Sequence, residues 1–196
     1  MLRLTVLISG GGTDLQSIID EHQAGHIDCE MALVVSNRKT AYGLERAKQA
    51  GIPTAVIKDQ NELLAKLKEE KIDFIVLAGY LAILSEELIN AYPNKIINIH
   101  PSLIPSFCGP GMYGMHVHDA VLARGAKVSG ATVHFVSAEV DAGPIIYQEA
   151  VSIADLDTAE AIQKRVLEIE HKILPYVVSM YCQDKIKIEK GRVRIL

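Results

Sequence analysis

The stretch Leu4-Thr5-Val6-Leu7-Ile8-Ser9-Gly10-Gly11-Gly12-Thr13-Asp14-Leu15-Gln16 decides the fold class of this chain. Leu4 to Ile8 is a short β-branched and apolar run, the composition of a strand buried on both faces. The glycines turn the chain, and Thr13 with Gln16 has capping-box spacing, so a helix is expected to start there and run through Ile18, Ile19 and His22. A strand, a glycine turn and a helix N-terminus together make an anion site, because bare backbone approaches closely and free N–H groups face the ligand. The dinucleotide fingerprint is excluded, since Leu15 stands where its last glycine belongs, and no Lys follows to make a Walker A loop. Two readings remain: a cradle for a single phosphate, or a turn that only makes a tight connection. Asp14 fits the first only if its carboxylate points away from the anion.

Outward from this unit the pattern repeats. Met31 to Ser36, Thr54 to Ile57, Phe74 to Gly79 and Lys95 to Ile97 read as further strands. Between them lie expected helices over Ala41–Ala50, stopped by Gly51 and Pro53, over Asn61–Glu70, with Leu63, Leu64 and Leu67 on one face, and from a Ser85 cap through Ile89. Strands alternating with helices through short connections imply an α/β, Rossmann-like, mostly parallel sheet with helices on both faces. Residues 1–196 read as one domain, without internal repeats.

The fifth strand runs into Asn98-Ile99-His100-Pro101-Ser102-Leu103-Ile104-Pro105. Ligands collect beyond the carboxyl ends of strands in such sheets. Asn98 and His100, two apart on an extended segment, point the same way. An amide can donate to a developing oxyanion and an imidazole can move a proton near neutral pH; the plainer reading is that both only satisfy backbone groups at a strand end. Ser106 to Gly114, rich in Gly, Pro and Met, reads as a lid or rim. His116 to Arg124 reads as a helix whose His116 and His118 are surface residues rather than metal ligands, and Cys108 lacks basic neighbours to activate it. Lys127 to Val136 and Ile145 to Val151 read as an antiparallel pair around the turn Ser137–Pro144. Asp157 with Glu160 is expected to cap a long helix whose buried face is Ile162, Val166, Ile169 and Ile173, with Pro175 kinking or ending it. Glu170 lies close to that face and needs a partner, either a nearby Arg or Lys or a ligand. Lys185 to Leu196 reads as a hairpin around Lys190-Gly191.

Bulk properties narrow the function classes. The 196 residues are 49% hydrophobic and 22% charged with net charge -4, which is ordinary for a globular protein and offers no basic surface for nucleic acid. Aromatics are 5% and Trp is absent, so base-stacking platforms would be sparse. Three scattered cysteines, Cys29, Cys108 and Cys182, make neither a disulfide framework nor a zinc site and fit a reducing, cytoplasmic setting. Met1 leads straight into a strand with no signal-peptide pattern, and no apolar run reaches membrane-spanning length.

Taken in order, Ile8–Leu15, Leu77-Ala78-Gly79-Tyr80-Leu81-Ala82-Ile83-Leu84-Ser85, Asn98–Pro105, Gly130-Ala131-Thr132-Val133-His134-Phe135-Val136, Asp141-Ala142-Gly143-Pro144-Ile145-Ile146 and Glu170-His171 resemble the phosphoribosylglycinamide formyltransferase family of folate-dependent enzymes. The resemblance covers nearly the whole chain. It implies the formyltransferase fold and transfer of the formyl group of 10-formyltetrahydrofolate, a cosubstrate, to the amine of 5'-phosphoribosylglycinamide in purine biosynthesis, with no metal. It further implies His100 as proton donor, Asn98 as oxyanion donor, and Asp141 as the group that raises the pKa of His100 and helps the amine proton leave. Gly12, Thr13 and Asp14 would hold the substrate phosphate by their N–H groups, and Glu170 the ribose or glycinamide end. Leu81, Ala82, Ile83, Leu84, Asn98, Val140, Ala142 and Gly143 would line the folate pocket. The expected partners are small molecules only, with no nucleic acid and no membrane, and the chain a monomer or weak homodimer. The sequence departs from the family at Ala82, where an Arg is usual, at Asp14, where an Asn is usual, and in a shortened stretch between Ile57 and Asp73 that lacks a usual basic residue. The alternatives are another 10-formyltetrahydrofolate enzyme, either a deformylase, which usually begins with a regulatory domain, or a methionyl-tRNA formyltransferase, which usually carries an extra C-terminal domain. A non-catalytic phosphate- or nucleotide-binding module on the same fold is a third.

Overall fold

The apolar run at the start of the chain forms the central strand of a sheet. In the computed structural model, which describes residues 1–196, β1 (Leu2–Ile8) is followed by α1 (Thr13–Gln23), β2 (Cys29–Ser36), α2 (Gly43–Gln49), β3 (Thr54–Val56), α3 (Gln60–Glu69), β4 (Phe74–Leu77), α4 (Glu86–Ala91) and β5 (Ile96–His100). Then come α5 (Met115–Arg124), β6 (Val128–Phe135), β7 (Ile145–Ser152), α6 (Ala159–Cys182), β8 (Ile186–Glu189) and β9 (Arg192–Ile195). The seven-stranded sheet has the order β3-β2-β1-β4-β5-β6-β7. β1 to β5 pair in parallel, whereas β6 and β7 join antiparallel. The mostly parallel α/β sheet with an antiparallel C-terminal portion is therefore present, and β8 and β9 form the expected hairpin.

Alternation along each strand divides the core into two layers. Leu4, Val6, Ile8, Phe74, Val76, Ile97 and Ile99 face one apolar cluster with residues of α1, α2, α5 and α6. Leu7, Ile75, Leu77 and Ile96 face a second cluster closed by Leu63 and Leu67 of α3 and Leu88 of α4. Each such buried side chain contributes about 1.5–3 kcal/mol over its exposed state, so β1 and β4 anchor the molecule. The strand order reverses direction between β1 and β4, and the glycine loop after β1 opens there, at the point where doubly wound sheets hold ligands.

Local chemistry explains where the expected boundaries move. β5 runs on through Asn98 and His100, because those two residues pair with His134 and Thr132 of β6. α1 does begin at Thr13, but Gly12, in the left-handed region at φ 71°, is its N-cap and no side chain caps it. Gln16 is otherwise engaged, donating to Asp20 and accepting from Arg46. The cap of α6 is Thr158 rather than Asp157: its Oγ1 accepts from Ala161 N at 3.2 Å. Pro175 does not end α6, which continues to Cys182 with Pro175 buried inside it, and Ile169 is only partly buried. His118 is not a surface residue. It sits buried beside Val117 on α5, and only His116 is exposed. The capping by Ser85 holds, its Oγ accepting from Leu88 N. No helix is long and apolar enough to cross a membrane.

The Thr158 side chain is the only one that satisfies an orphan amide at the start of α6, so Thr158→Ala is expected to cost about 1 kcal/mol. A urea titration of the two proteins measures it; an unchanged midpoint would show the cap to be idle.

Candidate active site

Asn98 and His100 share the sheet face of Ile96, and Thr132 and His134 come up beside them from β6. Between this patch and the glycine loop opens a cavity of about 600 Å³. Its lining includes Gly10 to Asp14, Leu77 to Leu84, Asn98 to Pro101, Gly109 to Gly114, Val136 to Asp141 and, from α6, Gln163, Leu167 and Glu170. Gly12, Thr13, Asp14, Asn98, His100, Asp141, Glu170 and Leu81 to Leu84 with Val140 thus meet around one space. Ala142 and Gly143 do not line it: Ala142 is exposed, and Gly143 is packed so close to β6 that an added Cβ would lie 1.7 Å from the Phe135 carbonyl oxygen. The turn at Gly143 leaves no room for a side chain.

Hydrogen bonds define the tautomers of the two buried histidines. His100 Nε2 lies 2.9 Å from the carbonyl oxygen of Phe107, which can only accept, so Nε2 carries the proton and Nδ1 is the nitrogen left for chemistry. Nδ1 stands 3.6 Å from Asp141 Oδ2. That is a charge contact rather than a hydrogen bond, a separation common before substrate tightens a site. His134 Nδ1 likewise donates to the Phe135 carbonyl at 2.9 Å, so its Nε2 accepts from Asn98 Nδ2 at 3.0 Å. Burial holds His134 below the ordinary histidine range, which keeps it neutral and able to accept. Asn98 Nδ2 then has its second hydrogen free. His134 fixes which way the Asn98 amide faces, a role the sequence reading did not single out.

The carboxylate is placed by backbone. Asp141 has φ 55°, unusual for a residue other than glycine, and its Oδ2 accepts from Gly109 N at 2.9 Å. Its Oδ1 lies 3.7 Å from His134 Nε2, so one carboxylate faces both imidazoles. The segment after β5 is pinned to β6 and β7. Thr132 Oγ1 donates to Ser102 O and accepts from Ile104 N, and Gln148 Nε2 donates to Ile104 O and Thr132 Oγ1. Ser102 Oγ donates to Ser106 O at 2.6 Å and, at 3.2 Å, to the Phe107 carbonyl that also holds His100.

At the other end, the first-turn amides of α1 have no intrahelical acceptors, and they border the cavity with the glycines. Ser9 ties this loop to the one after β4, its Oγ accepting from Leu81 N and donating to Asn37. The Asp14 side chain turns toward α6: it is buried against Glu170, with Oδ1 3.6 Å from His171 Nε2. This meets the condition that it point away from an anion. Glu170 is 5% exposed and finds neither Arg nor Lys; its partner is the Asp14 carboxyl. Burial, then the neighbouring Asp14 charge, raises the Glu170 carboxyl well above its ordinary range, and burial raises Asp14 with His171 opposing. Both shifts favour the protonated forms of the pair. Arg46 reaches the loop only from behind, donating to Gly11 O, and no Lys or Arg lines the cavity. Around the opposite rim Leu81, Val140 and the 76%-exposed Ile83 present apolar surface. His118, pushed down to about 4 by burial, closes the wall behind His100. Its place was readable from Val117 and Val121, whose spacing marks the buried face of α5, as His134 was from the alternation of Ala131, Val133 and Phe135.

The model of the formyl transferase family matches residues 2–178. The chain is 40% identical over 204 residues to the chloroplastic phosphoribosylglycinamide formyltransferase of Arabidopsis thaliana, covering 99% of this chain and 70% of that protein. It is 38% identical to the phosphoribosylglycinamide formyltransferase of Haemophilus influenzae, covering 96% of this chain and 91% of the relative. The crystal structure of glycinamide ribonucleotide transformylase 1 from Symbiobacterium toebii superposes with a TM-score of 0.93 at 41% identity, over 100% of this chain and 94% of that one.

Two measurements probe the glycine-loop end of the cavity. An added Cβ at Gly12 would lie 2.6 Å from the Gly43 Cα, and the φ of 71° strains any side chain, so Gly12→Ala is expected to lower the melting temperature as well as weaken ligand binding. Full retention of stability would show that the loop relaxes freely. For Glu170, the unfolded chain releases its proton near the ordinary value of about 4.3 and the folded chain only at its raised value. The folded state binds more protons in that window, so stability falls as pH rises through it. His118 and His134, both lowered, act oppositely and are present in both proteins. Urea midpoints of Glu170→Gln should therefore gain on the parent as pH rises above the ordinary carboxyl range; a constant gap would mean that Glu170 holds no extra proton.

Proposed function

The chain belongs to the formyl transferase family, and on that premise we propose that it transfers the formyl group of 10-formyltetrahydrofolate to the amine of 5'-phosphoribosylglycinamide in purine biosynthesis. The observation that carries this reading is the cluster of Asn98, His100, Asp141 and His134 on one sheet face, across a single cavity from an amide-lined glycine loop. A phosphate seated on the amides of Gly12, Thr13 and Asp14 sends the rest of the ribonucleotide past Glu170 toward that cluster. With both carboxyls raised toward their protonated forms, Glu170 and Asp14 sit near a phosphate with less repulsion, and Glu170 is able to hydrogen-bond a sugar hydroxyl. The apolar rim of Leu81, Ile83 and Val140 suits the flat ring system of a folate, with Ala82 and Leu84 beside it.

The residues then act in sequence. As the amine attacks the formyl carbon, the carbonyl oxygen gains negative charge and accepts the free Nδ2 hydrogen of Asn98. His134, neutral and fixed, keeps that hydrogen aimed. The attacking nitrogen becomes positive, and the Asp141 carboxylate is the base that relieves it of a proton. His100 supplies a proton from Nδ1 to the departing folate nitrogen. The Asp141 carboxylate favours the imidazolium that does so, and the Phe107 carbonyl holds Nε2–H so that only Nδ1 takes part. Ala82 offers no guanidinium to a folate tail, and the phosphate rests on backbone and helix dipole alone. We also read the chain as one formyltransferase unit at 1–196, acting on small molecules in the cytoplasm, as monomer or weak dimer.

A spectrophotometric assay with a 10-formylfolate donor, run with and without glycinamide ribonucleotide, tests this. Turnover is expected only with the ribonucleotide. Donor breakdown without it would replace the reading with a hydrolase, and silence in both with a binding module. His100→Ala should lose roughly a hundredfold or more in kcat with little change in KM for the ribonucleotide. Asn98→Ala should lose on the order of 100- to 1000-fold. Near-normal turnover in His100→Ala would sink the mechanism.

A further inference from the structure

The glycine loop is held from a side that the cavity does not reach. Gly43 N, at the start of α2, donates to Gly10 O at 3.0 Å, and Arg46 Nε donates to Gly11 O at 2.8 Å. Gly12 O accepts from Gln16 N at 2.9 Å. Neither Gly43 nor Arg46 lines the cavity, whereas Gly10 to Asp14 all do. In a planar trans peptide the C=O and the next residue's N–H point in opposite directions. Drawing the carbonyls of Gly10 and Gly11 toward α2 therefore turns the N–H groups of Gly11 and Gly12 away from it, and neither of these amides has a backbone acceptor in the chain. The approach is close: an added Cβ at Gly43 would lie 3.1 Å from Gly12 Cα. Given the phosphate seat proposed above, we infer that Arg46 is a positioning residue for the anion end of the substrate. From outside the cavity it holds the Gly11 carbonyl, and so aims and polarises the Gly12 N–H that meets the phosphate.

Arg46 brings charge as well as a hydrogen bond. No carboxylate pairs with it: the neighbouring Glu45 is taken by Lys48 Nζ at 2.8 Å. Its second partner is neutral, the Gln16 Oε1 that accepts from Arg46 Nη1 at 3.2 Å. The guanidinium lies 5.1 Å from the centre of the Tyr42 ring, which steadies it without neutralising it. A positive charge on the carbonyl side of a peptide strengthens the N–H of the same peptide as a donor, because hydrogen bonds to charged groups are stronger and linked bonds polarise one another. Arg46 therefore lends its charge to an anion that it does not touch, in a cavity that no Lys or Arg lines. Its two bonds, one to the loop and one to a side chain of α1, also fix the Gly12 amide relative to the first amides of that helix. A lysine in its place would supply the charge but not the fork.

The test titrates ribose 5-phosphate, a probe with the phosphate but without the glycinamide amine, into the full chain and its Arg46→Ala, Arg46→Gln and Arg46→Lys variants by calorimetry. The same four proteins are assayed for turnover with the 10-formylfolate donor and glycinamide ribonucleotide. Arg46→Ala is expected to weaken ribose 5-phosphate binding and raise KM for the ribonucleotide about tenfold, with kcat and KM for the donor within about twofold of the parent. Arg46→Lys should recover most of that loss. Arg46→Gln, which keeps a donor without the charge, should recover little. Unchanged ribose 5-phosphate affinity in Arg46→Ala, or no binding of this probe by the parent, would overturn the assignment. So would equal rescue by Gln and Lys, which leaves an uncharged latch, or a fall in melting temperature and kcat with KM unmoved, which leaves a structural residue. A tenfold loss of ribose 5-phosphate affinity in a protein that turns over no ribonucleotide would keep the role of Arg46 and remove the transferase reading instead.

Discussion

The antiparallel pairing of β5 with β6 is the constraint from which the site follows. Up to β5 the sheet is a parallel, doubly wound one, with ligand space beyond the strand ends. The reversal at β6 sets Asn98 opposite His134 and His100 opposite Thr132, so that polar groups replace the apolar alternation of the neighbouring strands. Each of those partners satisfies something that would otherwise be a buried, unpaired polar atom. His134 takes the Asn98 amide, and Thr132 holds the chain just after His100. Slipping this register by one residue would turn the whole set to the opposite face.

Electrostatics in the cavity run against the intuition that anions are held by cations. Its walls carry Asp14, Glu139, Asp141 and Glu170 and no Lys or Arg. The attraction this cavity offers a negative group comes from amides at the head of α1 and the dipole behind them. The carboxyls avoid cancelling that attraction in two ways. Asp14 and Glu170 are buried together with both carboxyls raised toward their neutral forms, and Asp141 faces the imidazoles. The neighbouring His118 and His134 are kept neutral by burial, so among the imidazoles lining the cavity the one that faces a carboxylate through a free nitrogen is His100.

Local patterns in the sequence carried much of this. The glycine turn after Leu4–Ile8, the alternation of strands and helices, the Asn98/His100 pair, the Ser85 cap and the terminal hairpin are all matters of neighbours within a few positions. What escaped depends on partners far away. Thr13 and Gln16 have the spacing of a capping box, but Arg46 from α2 and Asp20 claim Gln16. Asp157 is as good a cap as Thr158 by composition, and only the entry angle of the chain decides between them. Glu170 needed a partner, and a second carboxyl is not one that charge alone nominates. Ala142 and Gly143 follow Asp141 closely, yet the turn sends one to solvent and the other into the Phe135 backbone.

The two borders of the sheet differ in how much open edge they present. One border is β3, only three residues long, too short to template another chain. The other is β7, eight residues with every second side chain turned outward, the kind of strand that recruits copies of itself. The hairpin of β8 and β9 packs against β7 as a separate sheet. Contact between β9 and β7 thus sets the small sheet beside the longer border strand, where an open edge would otherwise invite pairing with another chain.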